Sequence, residues 1–147
     1  MKRLILLLGV LTACTAAPPP APKFADLDAC VLLASGDAGS LKSTAKADRA
    51  CDYTFDSLTV RLTLVTSSYN DAAKPLQDDG GYGAVINDRA MTRRCTDASG
   101  EVTCDAVVEV RDGQVLGLKV VQRSHDPNVV GQVTQGLAAK ALERLPR

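Results

Sequence analysis

The stretch CTDASGEVTCDAVVEVRDGQVLGLKVVQR, residues 95–123, carries most of the information about the fold. It holds two turn signals. Ser99-Gly100 sits midway between two cysteines, and a hairpin centred there sets Cys95 directly opposite Cys104. With a two-residue loop this is a non-hydrogen-bonded pair, where side chains approach most closely. Further on, Arg111-Asp112-Gly113-Gln114 contains Asp-Gly, which supplies the positive φ angles of a type I′ turn. That turn pairs Val110 with Val115 and Val108 with Gly117. In the last strand Val115 and Val121 share one parity, and Leu116, Leu118 and Val120 the other. Apolar residues on both parities predict a strand covered on both faces.

Working outward, three strands are expected at 84–95, 101–111 and 114–123. A long helix follows them. Asp126 is its N-cap and Pro127 its first residue. Val130, Val133, Leu137 and Ala141 recur at helical spacing, and Ala138, Leu142 and Leu145 widen the stripe. Upstream, Cys51 to Phe55 reads as a short strand. Residues 59–66 alternate, with Val60, Leu62 and Leu64 on one face. Asp28 caps a short helix that Gly36 stops. Residues 37–49 read as a loop or a poor second helix. Residues 70–79 hold a short helix that Pro75 confines or breaks. The resulting fold is α+β: an antiparallel meander sheet with helices on both faces, a long C-terminal helix and two disulfides. It occupies residues 24–147 as a single globular domain.

The ends of the chain give its address. Met1-Lys2-Arg3 is a positive start, Leu4 to Leu11 an apolar run, and Thr12-Ala13 are small residues before Cys14. This is the plan of a secretory signal peptide over residues 1–13. The apolar run is far short of the roughly 20 residues a spanning helix needs. Leu11-Thr12-Ala13-Cys14 resembles a bacterial lipobox. The resemblance implies a diacylglyceryl (palmitate-type) modification on Cys14 and cleavage before it. Two acyl chains anchor stably where one does not. Residues 14–23 then form a tether with Pro18, Pro19, Pro20 and Pro22, an extended polyproline segment reaching roughly 28 Å.

With Cys14 set aside, Cys30, Cys51, Cys95 and Cys104 remain. An even number on an exported domain points to disulfides, and four cysteines allow three pairings. The hairpin favours Cys95–Cys104, which leaves Cys30–Cys51. The alternative, a zinc or redox site, lacks any Cys-x-x-Cys spacing.

Composition excludes several functions. Aromatic residues are 3% with no tryptophan, and 17 basic residues balance 17 acidic ones, so neither stacking platform nor basic footprint for nucleic acid exists. One histidine excludes a multi-histidine metal site. No cofactor is implied. Ser124-His125-Asp126 has triad residue types, but adjacent residues do not converge and Asp126 caps a helix. Asp78-Asp79-Gly80-Gly81 lacks the alternating ligands of a calcium loop. Asp105 and Glu109, four apart on one strand face, stand about 13 Å apart, too far for a glycosidase pair. The binding candidates are Arg89, Arg93 and Arg94, a small basic cluster suited to anionic headgroups or wall polymers. Tyr82 joins them, on a glycine loop at a groove mouth.

Several features together resemble the actinobacterial lipoproteins grouped as a domain of unknown function that opens with an Asp-Pro-Cys motif. The features are the lipobox, the tether, Asp28-Ala29-Cys30-Val31-Leu32-Leu33, Cys51-Asp52-Tyr53 and the alanine-rich last helix ending Leu145-Pro146. Ala29 replaces that family's usual proline, and Tyr53 its frequent tryptophan. The element order is also similar to PsbP-like α/β/α sandwiches. The expected role is a non-enzymatic, lipid-anchored protein on the extracytoplasmic side of the cell membrane. Its domain would bind an envelope protein or a cell-wall component. A carrier or sensor of a lipid or small apolar ligand is the alternative.

Overall fold

A computed structural model describes residues 14–20 and 23–147. The expected signal peptide, residues 1–13, lies outside the described residues, as do Ala21 and Pro22 of the tether. Short 3-10 turns at Phe24–Asp26 and Ala29–Val31 open the domain. Then come β1 (Leu41–Ala47), β2 (Ala50–Phe55), β3 (Leu58–Val65), α1 (Tyr69–Asp78), β4 (Tyr82–Ile86), β5 (Arg89–Ala98), β6 (Glu101–Arg111), β7 (Gln114–Arg123) and α2 (Pro127–Arg144). The seven strands form one antiparallel sheet in the order β1-β2-β3-β7-β6-β5-β4. The topology is therefore not the simple meander expected. β7 returns to pair with β3, so two meanders joined through α1 close on each other at the centre.

The central hairpin matches its sequence signals. Ser99 and Gly100 both take positive φ, 56° and 79°, and Cys95 faces Cys104 with 4.0 Å between their Cα atoms. The second turn differs. Only Gly113 turns left-handed, at φ 71°, and the register shifts between Glu109 and Arg111. A left-handed glycine beside a register shift is a bulged turn, not the type I′ turn expected. Val108 consequently faces Leu116 instead of Gly117, and Glu109 faces Val115. The burial of both parities of β7 survives the slip. Val115 is buried, and so are Leu116, Leu118 and Val120.

Three further expectations need correction. Residues 41–47 form β1, not a loop or helix. Its Leu-Lys-Ser-Thr-Ala-Lys-Ala sequence hides the strand because an exposed edge has no apolar face to bury. Lys42 and Lys46 on it pair with Asp56 and Asp28 and blunt the edge against further pairing. The stretch 84–95 is two strands, split by a turn in which Asn87 and Asp88 take φ 48° and 61°. Tyr82 begins the first of these strands and does not lie on a loop. Finally, α1 runs through Pro75. Ser68 caps its start by accepting from the Asp71 N–H. At its end the Gly81 N–H reaches the Leu76 carbonyl and the Gly80 N–H the Gln77 carbonyl. Both ends are thus satisfied, and the one backbone bond that proline removes does not break the helix.

The main core joins β2, β3, β6 and β7 to α2 and the N-terminal turns. Val60, Leu62, Leu64, Val108, Leu116, Leu137 and Ala138 are all buried in it. Asp126 caps α2 as expected, accepting from the Asn128 and Val129 N–H groups. The end of α2 is pinned to the N-terminal segment by Arg144. Its guanidinium donates to the Leu32 carbonyl and to the Asp37 carboxylate, whose side chain is 7% exposed. The Arg144 hydrogen bond holds the Asp37 carboxyl below its ordinary 3.8. A depressed carboxyl contributes stability that is present above pH 3.8 and is lost as pH falls below it through the lowered value. Asp37→Asn is expected to cost about 2 kcal/mol at neutral pH. The difference from the parent should be smaller at about pH 3, below the ordinary carboxyl value, where protonation of Asp37 begins to remove the charge that Arg144 binds. Urea unfolding of both proteins at the two pH values checks this.

Candidate functional site

A surface groove lies where three chain segments meet. β6 ends at Val110 and Arg111. α2 stops at Leu145, whose extended backbone (φ −68°, ψ 140°) turns Pro146 and Arg147 away from the helix axis. Lys23 and Phe24 bring the tether into the domain beside them. Two adjoining clefts result, of about 220 and 470 Å³, sharing Val110, Arg111, Leu145, Pro146 and Arg147. Val110 and Leu145 are buried and make an apolar floor. Arg111 holds the tail in place by donating from Nη2 to the Pro146 carbonyl at 3.4 Å.

Four cations surround that floor: Lys23, Arg89, Arg111 and Arg147. Among the described residues there are seven ion pairs, and none includes these four. The acid on the groove wall, Glu143, is 3.5 Å from Lys140. Arginine keeps its charge at any physiological pH, so three of the four cations act as fixed charges. A guanidinium fork donates to two oxygens of a phosphate or carboxylate at once, which suits this groove to holding anionic groups.

The structure disperses the basic cluster expected at 89–94. Arg89 is exposed and belongs to the groove just described. Arg93 turns under α2, where a Cβ on Gly131 would stand only 2.0 Å from its Nη1. Among the described residues that Nη1 is buried without a hydrogen-bond acceptor. Arg94 points elsewhere and binds the end of α1, donating from Nε to the Asp79 carbonyl at 3.1 Å. Tyr82 pairs in register with Arg93 on the sheet edge and is 72% exposed. Alternation along β5 sends Arg94 to the face opposite Arg93, while Arg89 and Arg93 share a face and stand four residues apart along the strand.

The remaining candidates are engaged structurally. The His125 ring lies over Gly100, with Cε1 2.8 Å from where a Cβ would be. Ser124 Oγ accepts from the Asp126 N–H, and Asp126 caps α2. Asp78 pairs with Lys74 and Asp79 with Arg94. Asp105 sits in register between Arg94 and Lys119. The cysteines divide cleanly. Cys30–Cys51 and Cys95–Cys104 are bonded, and Cys14 is free and exposed on the segment before the domain. No helix among the described residues is long and apolar enough to cross a membrane.

Sequence reasoning found Arg89 but not its partners. Lys23, Arg111 and Arg147 come from a tether, a turn and a chain terminus, and no local pattern links them. No protein-family model matches the chain, and no curated protein matches it.

Proposed function

We propose that this protein is a lipid-anchored lipoprotein of a bacterial envelope, held on the extracytoplasmic side of the membrane through Cys14. Its disulfide-bonded domain works by binding and not by catalysis. One observation carries the reading. Of five cysteines, four are consumed in two bonds, and the one left exposed is Cys14, at the lipobox position ahead of a proline-rich tether. Disulfides belong to oxidising compartments, which supports export. The resemblance to actinobacterial lipoproteins supports the same reading. The binding role is supported by the engagement of Ser124, His125 and Asp126 in packing and capping. The filled interface between sheet and α2, with Met91, Leu116, Leu137 and Ala138 buried, favours a partner on the surface over a ligand carried inside. The partner class is an envelope protein or wall component.

The domain is read as a sheet with α1 on one face and α2 on the other. Contacts of adjacent β5 residues support it. Thr92 bonds Tyr69 of α1 at 2.7 Å, while Arg93 lies against Gly131 of α2.

Fractionation of cells tests the anchor. The parent chain should require detergent to leave the membrane. Cys14→Ser should yield either a soluble protein or an uncut precursor. A Cys14→Ser protein that is mature and still membrane-bound would sink the reading.

A further inference from the structure

We propose that the groove between Arg111 and the C-terminal tail is where the domain docks onto anionic phospholipid headgroups. The domain then rests with this pole on the bilayer instead of swinging freely on its tether. The inference rests on the anchor reading and adds an orientation and a lipid class to it.

Three observations converge. The first is position. Lys23, the last residue of the tether, itself lines the groove. The leash from Cys14 therefore joins the domain at this pole, which keeps the groove within reach of the membrane. The second is charge. Lys23, Arg89, Arg111 and Arg147 stand outside the ion pairs that engage cations elsewhere on the surface. Asp88 and Asp112 on neighbouring turns, with Glu143, offset part of this charge, so the contact is reversible and salt-sensitive. The third is the floor. Val110 and Leu145, buried beneath the cations, give the groove a low-polarity floor that strengthens their attraction for a headgroup phosphate.

The magnitudes agree. Each Lys or Arg at an anionic surface favours binding roughly fivefold. Four such cations reach an affinity of about millimolar at most, since Asp88, Asp112 and Glu143 weaken the attraction. A short tether supplies an effective concentration of about the same size. The docked state is then populated up to about as much as the undocked one when the chain is anchored.

The test uses the mature acylated chain in liposomes of phosphatidylcholine alone, and in liposomes with a third of the lipid as phosphatidylglycerol. Hydrogen exchange is followed by mass spectrometry on peptides covering 107–114 and 139–147. Exchange should slow by up to roughly twofold in the anionic liposomes only, since at most about half the molecules are docked. Added salt should remove the effect. The Arg111→Glu/Arg147→Glu double variant should abolish it, and Lys119→Glu on the exposed sheet should preserve it. Equal exchange in both liposomes overturns the proposal. So does slowing seen only with added cell-wall polymer or envelope protein, since the groove then serves that partner. The intact mass of the same sample reports the anchor separately. If Cys14 carries no acyl group, the anchor reading fails. Docking is then read by co-sedimenting that chain with several millimolar of each lipid mixture. Sedimentation with the anionic mixture alone upholds the groove's lipid preference, and equal sedimentation refutes it.

Discussion

Truncating Tyr53 to alanine is expected to lower the unfolding free energy by about 4 kcal/mol. The ring is 1% exposed and stacks on Phe55 with centroids 6.2 Å apart. Its hydroxyl joins β2 to the N-terminal turn, donating to the Ala29 carbonyl and accepting from the Leu33 N–H at 3.2 Å. Removal leaves a cavity beneath Leu32 and Leu33 and two backbone groups without a partner. Tyr53→Phe separates the two contributions. It keeps the packing and removes only the hydroxyl, so a loss of about 1–2 kcal/mol is expected. Burial also pushes the phenol up from its usual 10.0. A raised acid contributes stability that is present below pH 10 and lost as pH rises through the higher value. Tyr53→Phe should therefore be less sensitive to alkaline unfolding than the parent. Denaturant titrations of the three proteins give these values. A neutral Tyr53→Phe would refute the bridging role of the hydroxyl.

The second large effect concerns the disulfides. Cys30–Cys51 closes a separation of 21 residues and Cys95–Cys104 one of 9. Loop closure in the unfolded chain gives about 3 kcal/mol for the longer and about 2.5 kcal/mol for the shorter. The structural consequences differ more than these figures. Cys95–Cys104 joins strands already paired through a full ladder. Cys30–Cys51 fastens the turn that carries Leu32 and Leu33 into the core, and Cys51 is fully buried. Cys30→Ala/Cys51→Ala is thus expected to lower the unfolding temperature more than Cys95→Ala/Cys104→Ala. It should also expose the segment before β1 to protease. The reverse order in thermal unfolding would contradict this account of the N-terminal turn.

How much could be read in advance depended on whether a signal was local. The Ser99-Gly100 turn, the alternation of Val60, Leu62 and Leu64, and the Asp126-Pro127 cap each act within a few residues, and each is present. Strand β1 was illegible because edge strands bury little, and its lysines mimic a loop. The Asn87-Asp88 turn was illegible because asparagine and aspartate adopt left-handed backbone without the glycine that marks such turns. The pairing of β3 with β7 depends on contacts distant in sequence. The candidate groove was least legible. Strand alternation put Arg89 and Arg93 on one face and Arg94 on the other, but only the packing of α2 shows that Arg93 is drawn under Gly131 while Arg89 stays in the groove. The cations that accompany Arg89 in the groove are joined only by the fold.

Intact mass spectrometry of the protein purified from membranes of a bacterium with a lipoprotein pathway tests the central claim most directly. The account predicts a chain that begins at Cys14, lacks residues 1–13, and carries a diacylglyceryl group on that residue. Both disulfides should be intact. A chain that retains residues 1–13, or one cut there with an unmodified Cys14, would contradict it.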